Sequence, residues 1–220
     1  MATILAQWMI TKKGPGNDIG LSGVSFLKTD DTLDLPDIQM HFIGSLLKDH
    51  GKTRPDSHAF SNHVCMLRPE SRGYISLKSL DPTVPPIIQP NYFATQKDRD
   101  TLIKGVKMSR EIMSQSAFDE YRGKEITPGI HVQTDEEIED FIRNAAETIY
   151  HPVGTCKMGS DEFAVVDDKL RVRGVENLRV IDASVMPTLI GGNTNAPTIM
   201  IADKISDHIL GNEFLPPQHV

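Results

Sequence analysis

The chain has 220 residues, of which 39% are apolar and 24% charged, and a formal net charge of −7. That length can bury a sizeable core, as one large domain or two small ones, and the balance is ordinary for a globular protein. Net acidity without a basic stripe excludes a nucleic-acid partner, and no apolar run reaches the roughly 18 residues that a membrane-spanning helix needs.

The opening "MATILAQWMITKKG" is mildly apolar but has no basic leader and no clear cleavage site, so it does not read as a secretion signal. Residues 1–35 read as loosely organised, with "TKKGPGNDIGLSG" as a loop. "DIQMHFIGSLL" alternates well enough to be a strand, and the polar residues 50–62 read as a surface loop. "HVCMLRP" (63–69) and "GYISLKS" (73–79) are short β-like runs that could pair as a hairpin across "ESR". "LDPTVPPIIQPNYF" carries four prolines and cannot be helix interior.

The period then changes. Residues 96–115 place Leu102, Ile103, Val106, Ile112 and Met113 on one helical stripe. Thr134 followed by Glu137 forms a capping-box pattern, with Asp135 and Glu136 in the positive first turn. The helix it starts is predicted over 135–147, with Ile138, Phe141 and Ile142 inward. "LRVID" (178–182) reads as a buried strand and "MPTLIGGNTN" as a loop. A last amphipathic helix is predicted over 198–210, with Pro197 where it would begin and Gly211 as its stop.

Several chemistries have no motif here: there is no G-x-S-x-G, no Walker loop, no H-E-x-x-H and no C-x-x-C. Eight histidines are scattered along the chain. His58, His63 and Cys65 come nearest to a cluster, but their spacing matches no standard zinc arrangement, and no metal is expected. Cys65 and Cys156 are far apart in sequence, which suits a reducing compartment and predicts a cytoplasmic location, at most peripheral to a membrane. Cys156 reads as a small buried residue rather than a redox centre. His151 precedes Pro152, which drives it to an extended backbone and a defined side-chain direction. Imidazole can accept a proton near neutral pH. On those grounds alone a structural histidine is the commoner reading.

The order of pieces says more. "YHPVGTCKMG" is followed by "VVDDKLRVRGVENLRVIDASVMPTLIGGNTNAPTIMIADKISDHIL", with "RPESRGYISLKSLDP" and "PPIIQPNYF" upstream. Together these resemble the C-terminal part of the glucose–methanol–choline (GMC) flavoprotein oxidoreductases, in particular the choline-dehydrogenase-like and alcohol-dehydrogenase-like branch. The resemblance is specific over about residues 68–210 and only general before that.

It implies oxidation of a small alcohol, with hydride passing from its carbon to the flavin N5 of FAD. The family's catalytic histidine falls on His151. Its second residue, which binds the same oxygen, falls on Asn193 in "GGNTN". An amide can donate to an oxygen becoming alkoxide-like but cannot take its proton, so His151 is the base of the pair. By the same resemblance Asp182 and Ala183 approach the ribityl–phosphate chain of FAD. Thr194 and Asn195 meet the pyrimidine side of the ring, where the positive end of the last helix favours an anionic reduced flavin. Asn193 and Asn195 in isolation would read as turn residues, and Asp182 as a cap.

One family part has no counterpart in these residues. The G-x-G-x-x-G fingerprint that cradles the FAD pyrophosphate is not present; "GPG" at 14–16 and "GG" at 191–192 are not it. The expected fold is therefore α+β. A partial substrate-binding domain over 1–150 has an antiparallel sheet with helices on one face. Residues 151–210 form a strand–helix remnant of the FAD-binding α/β domain, 211–220 a tail, and the FAD-binding domain itself is absent. The chain alone is expected to be inactive and to hold FAD weakly. Its exposed remnant surfaces would invite dimerisation. The expected partners are the small alcohol, the missing FAD domain and an electron acceptor, oxygen or quinone-type. A second reading is a non-catalytic domain that binds a ligand or partner without flavin chemistry.

Overall fold

A computed structural model of the chain describes residues 2–14, 16, 22–46, 58–213 and 216. Residues 50–57 of the loop expected at 50–62 lie outside them, as do parts of "TKKGPGNDIGLSG". The architecture is α+β, with small antiparallel sheets and, among the described residues, four α-helices. No helix among them is long and apolar enough to cross a membrane. The chain folds into two compact units. The first comprises residues 1–67 and 93–147, the second 68–92 and 148–220.

The first unit is built on a three-stranded antiparallel sheet of β1 (Gly23–Leu27), β2 (Ile38–Ile43) and β3 (Ser61–Met66), with β2 in the centre. Ile38 pairs with Leu27 on one side and Met66 on the other. Asp37 fastens the β1–β2 connection by accepting from the Thr29 amide at 2.8 Å and the Thr29 hydroxyl at 2.6 Å. Helix α2 (Gln96–Met113) packs on β2 and β3, and α3 (Asp135–Ala145) packs on α2. Ile38, Met40, Leu102, Ile103, Ile138 and Ile142 form the buried centre of this core, with Val64, Met66, Val106, Ile112 and Phe141 partly buried around it. The helical stripes expected from the sequence thus lie against the sheet and each other.

Both helices start as their sequences dictate. The Thr95 side chain caps α2 through the Asp98 amide at 3.3 Å. Thr134 and Glu137 form the reciprocal capping box of α3, which satisfies two otherwise orphaned donors. Arg110 ties the following loop to α2, donating to the carbonyls of Val132 at 2.7 Å and Gly129 at 3.2 Å and pairing with Glu125 at 2.9 Å.

Three expectations are corrected here. Residues 1–35 contain helix α1 (Ala2–Thr11) and strand β1 rather than only loose chain. The runs at 63–69 and 73–79 do not pair with each other: β3 pairs with β2, while β4 (Tyr74–Ser76) pairs with β5 (Ile87–Gln89). The apolar faces explain the choice, because Val64 and Met66 share a buried face with Ile38 and Met40, whereas all of β4 is exposed. "LRVID" forms no strand. Within the described residues its lateral backbone bonding is the Arg171–Arg179 bridge, the Val172 amide donating to Leu178 O at 3.0 Å and the Val180 amide donating to Leu170 O at 3.2 Å, too little for a ladder.

The second unit combines the β4–β5 pair with irregular chain and one long helix, α4 (Asn195–Leu210), which ends on Gly211 in the left-handed region as its sequence predicts. Its core is Val166, Leu170, Val185 and Ile205, with Met158, Val172, Val180, Ile181 and Ile201 around it. Gly73 sits where the β4–β5 backbones meet most closely: a Cβ there would lie 2.0 Å from Gln89 O and 2.6 Å from Pro90 O. Backbone atoms cannot rotate aside as a side chain can. Gly73→Ala is therefore expected to open the β4–β5 pair at a cost of about 1–3 kcal/mol. Hydrogen exchange of the Tyr74–Ser76 amides reads this directly, and wild-type protection in the variant would contradict it.

Candidate active site

The site lies wholly within the second unit. Tyr150, just before His151, has φ of +64°, a left-handed conformation rare for a bulky side chain. Pro152 follows, and Gly154 turns the chain at φ +88°. A Cβ on Gly154 would lie 3.3 Å from Met186 O, so the two segments run close. Two backbone bonds then fasten them: the Cys156 amide donates to Ser184 O at 3.0 Å and the Met158 amide to Val185 O at 2.8 Å. Val185 and Met186 are buried, so the loop carrying His151 is anchored on a core residue rather than left to solvent.

The partners of His151 come from the far end of the unit's sequence. Gly191 and Gly192 precede Asn193, and the Arg68 guanidinium lies against Gly191, with Nη2 2.5 Å from where a Cβ would sit. Asn193 Nδ2 is 3.0 Å from His151 Nε2. Thr194 Oγ1 is 2.8 Å from His151 Nδ1. The imidazole is thus held at both nitrogens. It is half-buried, Asn193 is exposed and Thr194 is buried.

An amide nitrogen only donates, so His151 Nε2 accepts from Asn193. A neutral imidazole accepting at Nε2 carries its proton on Nδ1, which donates to Thr194 Oγ1. The nitrogen facing the exposed amide is therefore the basic one.

Helix α4 begins directly after this pair. Thr194 occupies its N-cap position, yet no side-chain cap bond is made there. The helix N-terminus, with its partial positive charge, thus opens beside His151 and Asn193 without a capping oxygen. Asn195, its first residue, is exposed.

Of the residues singled out in the sequence, His151, Asn193 and Thr194 are brought into contact, and Asn195 adjoins them at the start of α4. Asp182 and Ala183 stand elsewhere, at the entry to a short 3-10 turn, Ala183–Val185. The Asp182 carboxylate caps that turn through the Ser184 amide at 2.8 Å. Among the described residues no hydrogen bond joins Asp182 or Ala183 to the His151 group, although the turn they open anchors the His151 loop. Sequence reasoning placed Thr194 at the pyrimidine side of the flavin and missed the bond its hydroxyl makes to His151, and it met Arg68 only as the first residue of an upstream block.

No group of three His, Cys, Asp or Glu side chains among the described residues could hold a metal ion. Burial pushes the Cys65 thiol up to about 11, well away from nucleophilic thiolate chemistry.

Comparison with known proteins places the chain in a family. The chain is 46% identical over 211 residues to the oxygen-dependent choline dehydrogenase of Cronobacter sakazakii, a match covering 96% of this chain and 38% of that protein. The proteins of the same description from Acinetobacter baumannii (strain AYE) and Pseudomonas aeruginosa (strain UCBPP-PA14) match over the same shares, at 47% and 46% identity. The chain thus spans about 38% of the length of these curated relatives. Among solved structures, pyridoxine 4-oxidase from Mesorbium loti superposes with a TM-score of 0.80 at 28% identity, over 89% of this chain and 39% of that one. A formate oxidase from Aspergillus oryzae RIB40 shares the fold at a TM-score of 0.85 and 23% identity, over 96% of this chain and 41% of that one. The C-terminal GMC oxidoreductase family model matches residues 69–202, a span that holds His151, Asn193, Thr194 and the first half of α4, and the chain belongs to the GMC oxidoreductase family.

Proposed function

We propose that this chain supplies the base, the alkoxide-stabilising amide and part of the flavin contact of an FAD-dependent alcohol oxidoreductase, with choline or a similar small primary alcohol as substrate. The observation that carries the reading is the imidazole of His151 held between Asn193 Nδ2 and Thr194 Oγ1, with Nε2 as its accepting nitrogen. The uncapped N-terminus of α4 beside it fits the electron-rich edge of a flavin, and the exposed amides of Asn193 and Asn195 add donors there. Asp182 has its Oδ1 committed to the Ser184 amide, so a ribityl contact from this turn would use Oδ2 or the backbone.

FAD, when bound, supplies the acceptor for the hydride of the alcohol carbon. The protein's own part is to manage the hydroxyl proton. His151 Nε2 takes that proton, while the Asn193 amide turns from the ring to the substrate oxygen and donates to it as its charge grows. The trimethylammonium of choline would be met by other groups, which the site residues named here do not include.

The test uses the 220-residue chain together with the flavin-binding part of one of the choline dehydrogenases it matches, co-produced as two polypeptides. The chain alone is expected to lose added FAD on desalting and to oxidise no alcohol. The pair is expected to retain flavin and to bleach it when choline is added without oxygen. Flavin retained by the pair but unbleached by any primary alcohol would overturn the reading.

A further inference from the structure

We infer that the Thr194 hydroxyl acts with the Asn193 amide to fix the tautomer of His151, the amide donating to Nε2 and the hydroxyl accepting from Nδ1–H, and that it holds the ring proton on Nδ1 once the amide has turned to the substrate, so that Nε2 receives the substrate proton. This rests on the reading of His151 as the base. Three features of Thr194 point to it. Its Oγ1 lies 2.8 Å from His151 Nδ1. It is only 8% exposed, so water does not readily replace it as the partner of Nδ1. And it sits at the N-cap of α4 without capping it, with a helical backbone of φ −86° and ψ −10° in place of the extended one that a capping threonine adopts. A threonine at that position normally spends its oxygen on the helix; this one has turned it to the histidine.

The choice of a hydroxyl matters chemically. Before proton transfer, Nδ1–H donates to Thr194 Oγ1. When the alcohol O–H bond breaks, its proton goes to Nε2 and the C–H electron pair leaves with the hydride to the flavin. The Nδ1 proton does not move, and Oγ1 accepts from it in both states. The ring is therefore held in one orientation through the step. Thr194 touches neither substrate nor flavin through this oxygen; it is a positioning residue. Without it Nδ1–H has no partner, and once the Asn193 amide turns to the substrate either nitrogen could carry the proton and the ring could rotate about its last side-chain bond.

The two side chains can be read without turnover, in the chain itself. Nitrogen-15 NMR of the neutral imidazole separates the Nδ1–H from the Nε2–H tautomer, and His151→Gln identifies the signal among the eight histidines. Wild type is expected to show Nδ1–H. In an Asn193→Ala background, where the amide no longer donates to Nε2, Thr194→Val, which keeps the shape and removes no helix-capping bond, is expected to shift the signal toward Nε2–H. Thr194→Ser in that background is expected to restore it. Nε2–H in the wild type, or unchanged Nδ1–H in the Asn193→Ala, Thr194→Val double variant, would overturn the inference, and the wild-type spectrum decides even if the double variant folds poorly. In the flavin-loaded pair, Thr194→Val is expected to lower kcat about ten- to hundredfold with KM little changed, as loss of orientation does. An inactive His151→Ala beside a fully active Thr194→Val would sink this inference and leave the base assignment standing. A fully active His151→Ala would do the reverse, with the tautomer result untouched.

Discussion

In the flavin-loaded pair, His151→Ala is expected to lower kcat/KM for alcohol oxidation by about two to four orders of magnitude, the usual contribution of a positioned general base. The bound flavin should remain, because the imidazole meets the start of α4 only through the Thr194 hydroxyl, and α4 keeps its core contacts through Ile201 and Ile205 without it. The variant should gain rate when free imidazole is added. Asn193→Leu should cost about 10²–10³, because it removes one donor to the developing oxyanion, and should gain nothing from added imidazole. The measurement is the rate of anaerobic flavin bleaching. An alanine variant that bleaches at the wild-type rate would remove His151 from the mechanism.

That pairing of residues was legible in the sequence only through the family resemblance. His151 and Asn193 are 42 positions apart, and no periodicity joins two loops at that distance. What brings them together is backbone bonding of residues 156–158 to 184–185, which leaves no trace in composition. The helices were legible for the opposite reason. The capping box at Thr134 and the stripes of α2 and α3 are local patterns, and the packing that buries them agrees with the local preference. Strand pairing was not legible, because β3 could in principle pair with any neighbour of matching face. The buried face of β2, whose register partners lie between Ile43↔Ser61 and Ile38↔Met66, decided it over the nearby exposed β4. "LRVID" forms no strand because apolar content signals burial, whereas a strand also requires a partner edge. The bond from Thr194 to His151 was not legible because it joins side chains 43 positions apart, and the helix start expected at Pro197 put Thr194 outside α4.

The largest expected effect on stability comes from Ile38→Ala. Ile38 is 0% exposed and lies in the central strand, where it meets both neighbouring strands and the underside of α2. Gly105 shows how tightly α2 approaches: a Cβ on that glycine would stand 2.7 Å from Val64 Cγ1 and 3.1 Å from Ile38 Cδ1. A helix this close cannot sink further into a vacated space, because the remaining side chains already fix its distance from the sheet. Removing most of the Ile38 side chain should therefore leave a largely uncollapsed cavity and cost about 2–5 kcal/mol. Gly105→Ala acts on the same contact from the other side. The gain of about 1 kcal/mol in helix propensity should be outweighed by crowding of about 1–3 kcal/mol, since a branched valine and an isoleucine stand in the way. Because the two changes share a contact, their sum should not be additive: the cavity left by Ile38→Ala gives the new methyl room on one side, so the double variant should be more stable than the sum predicts. Urea unfolding, followed by hydrogen exchange over β1–β3 and α2, measures both. Val185→Ala, in the separate core beneath the His151 loop, should instead loosen the amides of residues 156–158 that bond to it and its neighbour. If Ile38→Ala costs less than about 1 kcal/mol, the close approach at Gly105 does not hold the helix off the sheet, and the packing argument for the first unit is wrong.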